Sequence, residues 1–348
     1  MSQQIGVLAQ VPAEAQCLST TIPSLRGLGE VVVFSAGAGD EVAAEAARLG
    51  LPVVAVPWTG HYGELFTAVA RHLGDGPWLI AYADETVAEP GPGDWLRISG
   101  PVAAGVRHRT SERDTYTEEN ECRAVGTGGA ALEFSGLVYP TLLRDGSPVP
   151  PEELPHSGVV FEHHPARWAD LSPQRLARTA QVYRTALRDR PHDPELLYGL
   201  FHCHYSAHEW PQLRELASRW RGCASDDDPN HPLVDYYEAC AAVAQRDAAD
   251  ALRLAENAVA RVSAFADGWY LIGELQAAAG LPVAADEAFA TAAAIGWDAD
   301  PVAVEDYSLA TWRAWRARAV LAKQDGRGRQ AEEFMARARE SRREQRAG

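Results

Sequence analysis

Two adjacent carboxylates close an apolar run in the first third of the chain: Pro77-Trp78-Leu79-Ile80-Ala81-Tyr82-Ala83-Asp84-Glu85. Four apolar residues in succession after Gly-Asp-Gly-Pro read as a buried strand. Open α/β sheets bind ligands outside the carboxyl ends of their strands, so Asp84 and Glu85 stand where such a fold works. A second strand-like run, Val159-Val160-Phe161-Glu162-His163-His164, ends in two imidazoles. Neutral imidazole is a metal ligand, which makes a partnership with Asp84 one reading. The other is that one histidine ends the strand and the other is exposed.

The elements that must position these groups alternate. Ile5–Ala9 reads as a strand, and Ala13–Leu25 as a helix with Ala15, Leu18 and Ile22 on one face. Glu30–Phe34 is a second strand, broken by Ser35-Ala-Gly-Ala-Gly-Asp40, where Asp40 is placed to cap a helix over Glu41–Leu49. Leu51–Val56 is a third strand, Tyr62–Leu73 a third helix, and residues 77–83 the fourth strand. This β-α-β-α-β-α-β order predicts a mostly parallel sheet with helices on both faces.

On these motifs the chain resembles family 2 glycosyltransferases of the GT-A fold that carry tetratricopeptide tails. The family's second strand ends in Val-Asp-x-Gly-Ser-x-Asp. Here Val33-Phe34-Ser35-Ala36-Gly37-Ala38-Gly39-Asp40 matches at Gly37 and Asp40, with Ser35 in place of the Asp expected at the nucleoside. Trp58 matches the residue after the third strand, but Glu64-Leu65 stand where an Arg-Asn pair is expected. The Asp-x-Asp-Glu motif reads Tyr82-Ala83-Asp84-Glu85, so its first Asp is a tyrosine. The resemblance implies a nucleotide-sugar donor near Ser35, Gly37, Asp40, Tyr82 and Asp84. It also implies a divalent metal, Mg²⁺ or Mn²⁺, at Asp84 and Glu85, with His163 or His164 completing the site. The three departures have one direction. Tyr82 is no hard carboxylate ligand, Ser35 removes a charge, and the missing arginine removes a cation. They imply a different donor geometry or none.

Residues 86–165 resemble the family more loosely. Glu89–Asp94 reads as a turn-rich connection, Val102–Arg109, Ala131–Phe134 and Val138–Leu143 as strands, and Arg107–Glu121 as a polar surface loop. The family takes its general base from this acceptor side. Glu133, Asp114, Glu118 and Glu119 are the candidates, with Glu133 the expected catalytic residue. Against this is the plainer reading of solvated loop charges.

From Leu171-Ser172-Pro173, a helix start with Pro at its first position, the chain turns helical. A repeat of about 34 residues with tetratricopeptide spacing follows. Its best copy is Trp269, Ile272, Gly273, Gly280, Ala285, Phe289 and Ala292, and counting back gives Ala251, Ala255 and Ala258. An earlier copy has Leu197, Leu200, Leu213 and Ala217; a later one, after an insertion around Trp297–Thr311, has Trp315, Gly326, Ala331, Met335 and Ala338. Such hairpins bury their apolar stripes only against neighbours. His202-Cys203-His204 with His208 suggests a metal cluster, but His204 falls on a packing position. Gly126–Gly129 lacks the strand-then-helix context of a phosphate loop, and Asp226–Asp228 lacks EF-hand spacing.

Bulk properties limit the partners. The 348 residues carry 32 basic and 48 acidic side chains, a net charge of −16. That disfavours nucleic acid and anionic membranes. No apolar run approaches the ~18 residues of a membrane span, and the five scattered cysteines lack a Cys-x-x-Cys pair, which fits a reducing cytoplasm. The expected architecture is α/β plus all-α: a GT-A (Rossmann-like), mostly parallel sheet domain over 1–167, then a tetratricopeptide α-solenoid over 168–348. The expected activity is transfer of a sugar from a nucleotide-sugar to a peptide or protein acceptor, with the repeats holding acceptor or forming a homo-oligomer. The alternative is an inactive pseudo-glycosyltransferase that serves as a binding or assembly module.

Overall fold

The computed structural model describes residues 3–109, 116–126, 128, 131–163, 172–296 and 307–347. The chain divides into two compact units, Met1–Val182 and Tyr183–Gly348.

The first unit begins β1 (Gln4–Ala9), α1 (Ala15–Leu25), β2 (Glu30–Ser35), α2 (Gly39–Arg48), β3 (Val53–Ala55), α3 (Tyr62–Leu73) and β4 (Trp78–Tyr82). These strands pair in parallel in the order β3-β2-β1-β4. Alternation along each strand builds two cores. Ile5, Val7, Val31, Val33, Leu79 and Ala81 pack with Leu18 and Ile22 of α1 and Val42 and Ala46 of α2. Leu8, Phe34, Trp78 and Ile80 instead pack with Leu65, Phe66 and Val69 of α3. Strand order therefore reverses between β1 and β4, the position at which a doubly wound sheet opens a crevice at its carboxyl edge.

Beyond β4 the sheet is not the parallel one expected. It continues with β5 (Glu85–Pro90), β6 (Pro101–Arg109), β7 (Tyr116–Val125) and β11 (His156–His163), in the order β4-β7-β6-β11-β5. The β4–β7, β7–β6 and β11–β5 pairs are antiparallel; β6–β11 is parallel. Thus Glu85–Pro90 is a strand, and the described parts of the expected polar loop, 107–109 and 116–121, lie on the antiparallel strands β6 and β7. The second of these strands buries Cys122, Ala124 and Val125, but also Arg123. Because that arginine meets its counter-charges inside the protein, the strand does not read as apolar. A separate antiparallel sheet joins β8 (Glu133–Ser135), β9 (Thr141–Arg144) and β10 (Ser147–Pro148). Asp40 is not a cap: α2 starts at Gly39 with Ala38 at its N-cap, and Asp40 lies in the first turn.

Helix α4 (Ser172–Asp189) crosses the division, and its first turns belong to the first unit. The second unit holds α5 (Pro194–Ser206), α6 (Trp210–Arg221), α7 (His231–Ala244), α8 (Ala248–Arg261), α9 (Ala266–Ala278), α10 (Pro282–Ile295), α11 (Tyr307–Ala310), α12 (Trp312–Gln324) and α13 (Gly328–Ala347). Hairpins form from α5/α6, α7/α8, α9/α10 and α12/α13, a helical repeat region resembling tetratricopeptide repeats. Asp193 caps α5 ahead of Pro194, accepting from the Glu195 and Leu196 amides at 3.0 and 3.2 Å. Ala251, Ala255, Ala258, Ala285, Phe289 and Ala292 are buried as the repeat spacing requires. At Gly273 a Cβ would stand 2.7 Å from the Phe289 ring, so α9 and α10 approach only because that residue is glycine. The last hairpin differs: Phe334, not Met335, packs with Trp315 and Ala331. No helix among the described residues is long and apolar enough to cross a membrane.

Candidate functional site

The loops leaving β1, β2 and β4 converge at the carboxyl edge of the sheet, where two arginines of α4 meet them. After β4 the backbone turns at Ala83-Asp84, tied by the Thr21 hydroxyl donating to the Ala83 carbonyl at 2.6 Å. Asp84 is left almost fully buried. Its Oδ2 accepts from Arg175 Nη1 at 2.6 Å and its Oδ1 from Nη2 at 2.8 Å, a bidentate fork. His163 at the end of β11 brings Nε2 to 2.8 Å from Oδ2. The same guanidinium reaches a second buried carboxylate, Glu14, with Nε donating to Oε1 at 2.7 Å and Nη2 to the same oxygen. Glu14 sits in the short turn after β1, where its Oε2 accepts from the Val11 amide at 3.0 Å and also from the Gln10 amide.

These neighbours set the electrostatics. Burial alone would raise the Asp84 carboxyl, but the Arg175 guanidinium and His163 outweigh it and hold the group well below the usual carboxylate range. Burial would lower Arg175, yet Asp84 and Glu14 raise it above an ordinary arginine. Nearby Cys17 is pushed up to about 12 by burial, with Asp84 and Glu14 adding to the shift, so it is an inert thiol.

One turn further along α4, Arg178 donates from Nη2 to the Ala36 carbonyl at 2.7 Å and from Nη1 to the Gln10 carbonyl. Its guanidinium lies 3.8 Å from the centre of the Trp58 ring, whose edge-on neighbour is Tyr62 at 5.0 Å. Tyr62 in turn donates to Gln10 Oε1 at 2.8 Å. A third arginine, buried Arg123, holds the other carboxylate of the motif. It reaches Glu85 Oε2 at 2.7 Å and Glu121 Oε2 at 2.8 Å. The guanidinium carbons of Arg123 and Arg175 lie 4.3 and 5.7 Å from the Tyr82 ring centre.

The structure brings Asp84 and His163 together, with Tyr82 beside them. Gly37 faces the Arg178–Trp58 pair at φ +76°, where a Cβ would lie 3.7 Å from Trp58 and 3.9 Å from Arg178. Asp40 is exposed on the first turn of α2, and Ser35 is half-buried at the end of β2. Glu85 points into the Arg123 ion pairs. Glu133 lies on β8 with its carboxylate two-thirds exposed, 3.8 Å from Arg71. His164 and Asp114 lie outside the described residues. So do Thr127 and Gly129 of the glycine-rich turn. Among the described residues no three His, Cys, Asp or Glu side chains gather as a metal site. In the second unit, His204 is buried with Nδ1 2.5 Å from Glu209 Oε2. A divalent ion does not fit this arrangement at Asp84: both carboxylate oxygens are already engaged, and a guanidinium stands where the ion would bind.

Arg175, Arg178, Arg123 and Glu14 escaped the sequence reading. The available signal was the three-residue spacing of Arg175 and Arg178, which puts both on one face of a helix.

No family model matches the chain, and no curated protein matches it. Among solved structures, MamA is similar over 51% of this chain and 95% of its own, at 17% identity and a TM-score of 0.42. MamA 41-end from Desulfovibrio magneticus RS-1 covers 51% and 94% at 18% identity and a TM-score of 0.40. YrrB, a TPR protein with an unusual peptide-binding site, covers 49% and 81% at 18% identity and a TM-score of 0.36.

Proposed function

We propose that the chain is a non-catalytic binding or assembly module. In this reading its α/β unit, similar in motif to nucleotide-sugar transferases, fills its own ligand crevice, and its repeat unit binds a peptide segment. One observation carries it: the fork from Arg175 to Asp84, shared with Glu14 and joined by His163. A carboxylate that must hold a metal on a diphosphate is best left with open oxygens. Here a helix of the same chain has taken them, and Arg178 caps the loops after β1 and β2. Departing-diphosphate stabilisation is the main demand on such a transferase, and Ser35, Tyr82 and Glu64-Leu65 weaken it further.

The transferase reading keeps one support, the 2.8 Å approach of His163 to Asp84. It requires Arg175 to withdraw, so that Mg²⁺ or Mn²⁺ and a nucleotide-sugar occupy its place, with Glu133 activating the acceptor. A thermal-shift screen of UDP-, GDP- and dTDP-sugars with and without Mn²⁺ separates the two. Donor at ~100 times its Kd would stabilise the protein by about 2.7 kcal/mol. The binding-module reading expects no shift. A Mn²⁺-dependent shift abolished by Asp84→Ala would overturn it.

A further inference from the structure

The sign of the charge changes along the repeat unit. Residues 262–311 carry eight acidic side chains and no basic one, whereas residues 312–348 carry eleven basic and five acidic. Part of this contrast is settled within the chain: Arg318 of α12 donates to Asp286 of α10 at 2.8 Å, and Arg313 stands beside Glu274. We propose that the rest serves self-assembly, with the outer face of α10 in one copy docking on the exposed face of α12 in the next. This goes beyond the binding-module reading and does not depend on it, because both faces lie in the repeat unit.

On α10, Val283 and Glu287 stand one turn apart, with Leu281 just before the helix. Leu281 is 54% and Val283 73% exposed, and Glu287 is exposed beside them. On α12, Arg316, Val320 and Lys323 follow one another at helical spacing, all exposed, Val320 at 47%. Among the described residues none of Glu287, Arg316 and Lys323 has an ion-pair partner. Arg316 is steadied by its own helix, its guanidinium carbon 5.8 Å from the centre of the Trp312 ring. Each face therefore sets apolar side chains beside an unmatched charge, and the two charges are opposite. Joining the faces covers Leu281, Val283 and Val320 and gives Glu287 the cation that its own chain does not supply.

The two faces also look different ways. Through Arg313, α12 borders an open groove of about 550 Å³ formed with Tyr205, Tyr236 and Tyr270, and no described residue of α10 lines it. A contact between unlike surfaces is head-to-tail, so copies add to one another rather than stop at a pair. Nucleic acid fits the basic hairpin α12/α13 less well. Trp312 already carries the guanidiniums of Arg316 and Arg342, at 5.8 and 4.8 Å, and Trp315 those of Arg318 and Arg337, at 5.2 and 4.7 Å. Stacking platforms for bases need open rings, and the net charge of −16 repels a polyphosphate or an anionic membrane.

Sedimentation velocity of the full chain at rising concentration tests this. Species should grow past a dimer, and added salt should disperse them. Glu287→Arg and Arg316→Glu should each weaken assembly by roughly tenfold or more. An equal mixture of the two variants should recover it, because each reversed face then meets the other. Both positions are exposed, so unchanged melts show intact folds, and recovery in the mixture cannot come from damaged protein. A monomer at every concentration, a limit at the dimer, or a mixture that fails to recover would overturn the proposal. So would capture of anionic vesicles or single-stranded RNA by a chain that stays monomeric. A donor-induced shift at the crevice would remove the binding-module reading and leave this contact standing.

Discussion

The crevice of the first unit and the groove of the second are built from the same three kinds of group, and they use them in opposite ways. In the crevice each carboxylate meets a guanidinium: Asp84 and Glu14 share Arg175 at 2.6 and 2.7 Å, and Glu85 and Glu121 share Arg123 at 2.7 and 2.8 Å. Tyr82 lies under both cations. In the groove of the repeat unit between Tyr205, Tyr236 and Tyr270, Asp267 and Tyr270 are themselves buried, and Glu274 is the exposed carboxylate, beside Arg313. A buried charge matched within its own chain is a structural element. A carboxylate exposed on a groove wall, as Glu274 is, stays open to solvent and to partners. This contrast, more than any motif, distinguishes the two regions.

The largest effect should come from breaking the crevice network. Arg175→Ala leaves Asp84 and Glu14 buried without their shared cation, and removal of one member of a buried pair costs about 3–5 kcal/mol. Urea denaturation measures it. Arg175→Lys should recover only part of the loss, because a single ammonium cannot make the fork to Asp84 and reach Glu14 together. A loss below about 1 kcal/mol for the alanine variant would mean that the crevice is already open in solution. In the repeat unit the comparable weak point is steric. Gly273→Val drives a side chain into the Phe289 ring and should cost about 1–3 kcal/mol, with the loss read from the same denaturation curves.

Acid should reproduce part of the first effect. The Asp84 carboxyl titrates lower in the folded protein than in the unfolded chain, where its value is ~3.9. The folded state therefore binds fewer protons, and the contribution of Asp84 is fully present above that value. It is lost as pH falls toward the depressed folded value. Below about pH 5, where the imidazole beside Asp84 no longer changes charge, the stability difference between the native protein and Asp84→Asn should shrink, most of it below about pH 4. A difference that grew between about pH 5 and pH 3 would refute the assignment of Asp84 as the ionised partner of Arg175.

The elements of the first 83 residues were legible because each obeys a local rule. Short continuous apolar runs gave β1, β2 and β4, and α3 was readable to its ends. The repeat anchors Gly273, Ala285 and Phe289 were equally legible, since close packing restricts residue size at fixed spacing. Legibility failed where long-range charge pairing decided the structure. Arg123 occupies a core position on β7 because Glu85, 38 residues earlier, neutralises it. Arg175 and Glu14 are 161 residues apart, and nothing local to either marks the bond. Residue type also misled at Asp84-Glu85. Adjacent carboxylates at a strand end suggest a shared metal site, but successive positions turned them to different arginines.

The smallest effects belong to the carboxylates that lie outside both networks, and they sharpen the contrast most. Glu133 is two-thirds exposed at 3.8 Å from Arg71, a spacing and setting in which an ion pair contributes little. Glu133→Gln should change stability by no more than about 0.5 kcal/mol. Asp40→Asn should cost about 0.3–1 kcal/mol, the worth of a charge in the first turn of a helix. Glu14, by contrast, is fully buried and bonded to Arg175 and to the Val11 amide. Glu14→Gln should therefore exceed both in the same assay. All three substitutions turn an acid into its amide at nearly constant shape, so chemistry alone predicts no ranking among them. Only the surroundings do. If Glu133→Gln proved as costly as Glu14→Gln, the exposed acid would have to carry a role that its position on β8 does not provide.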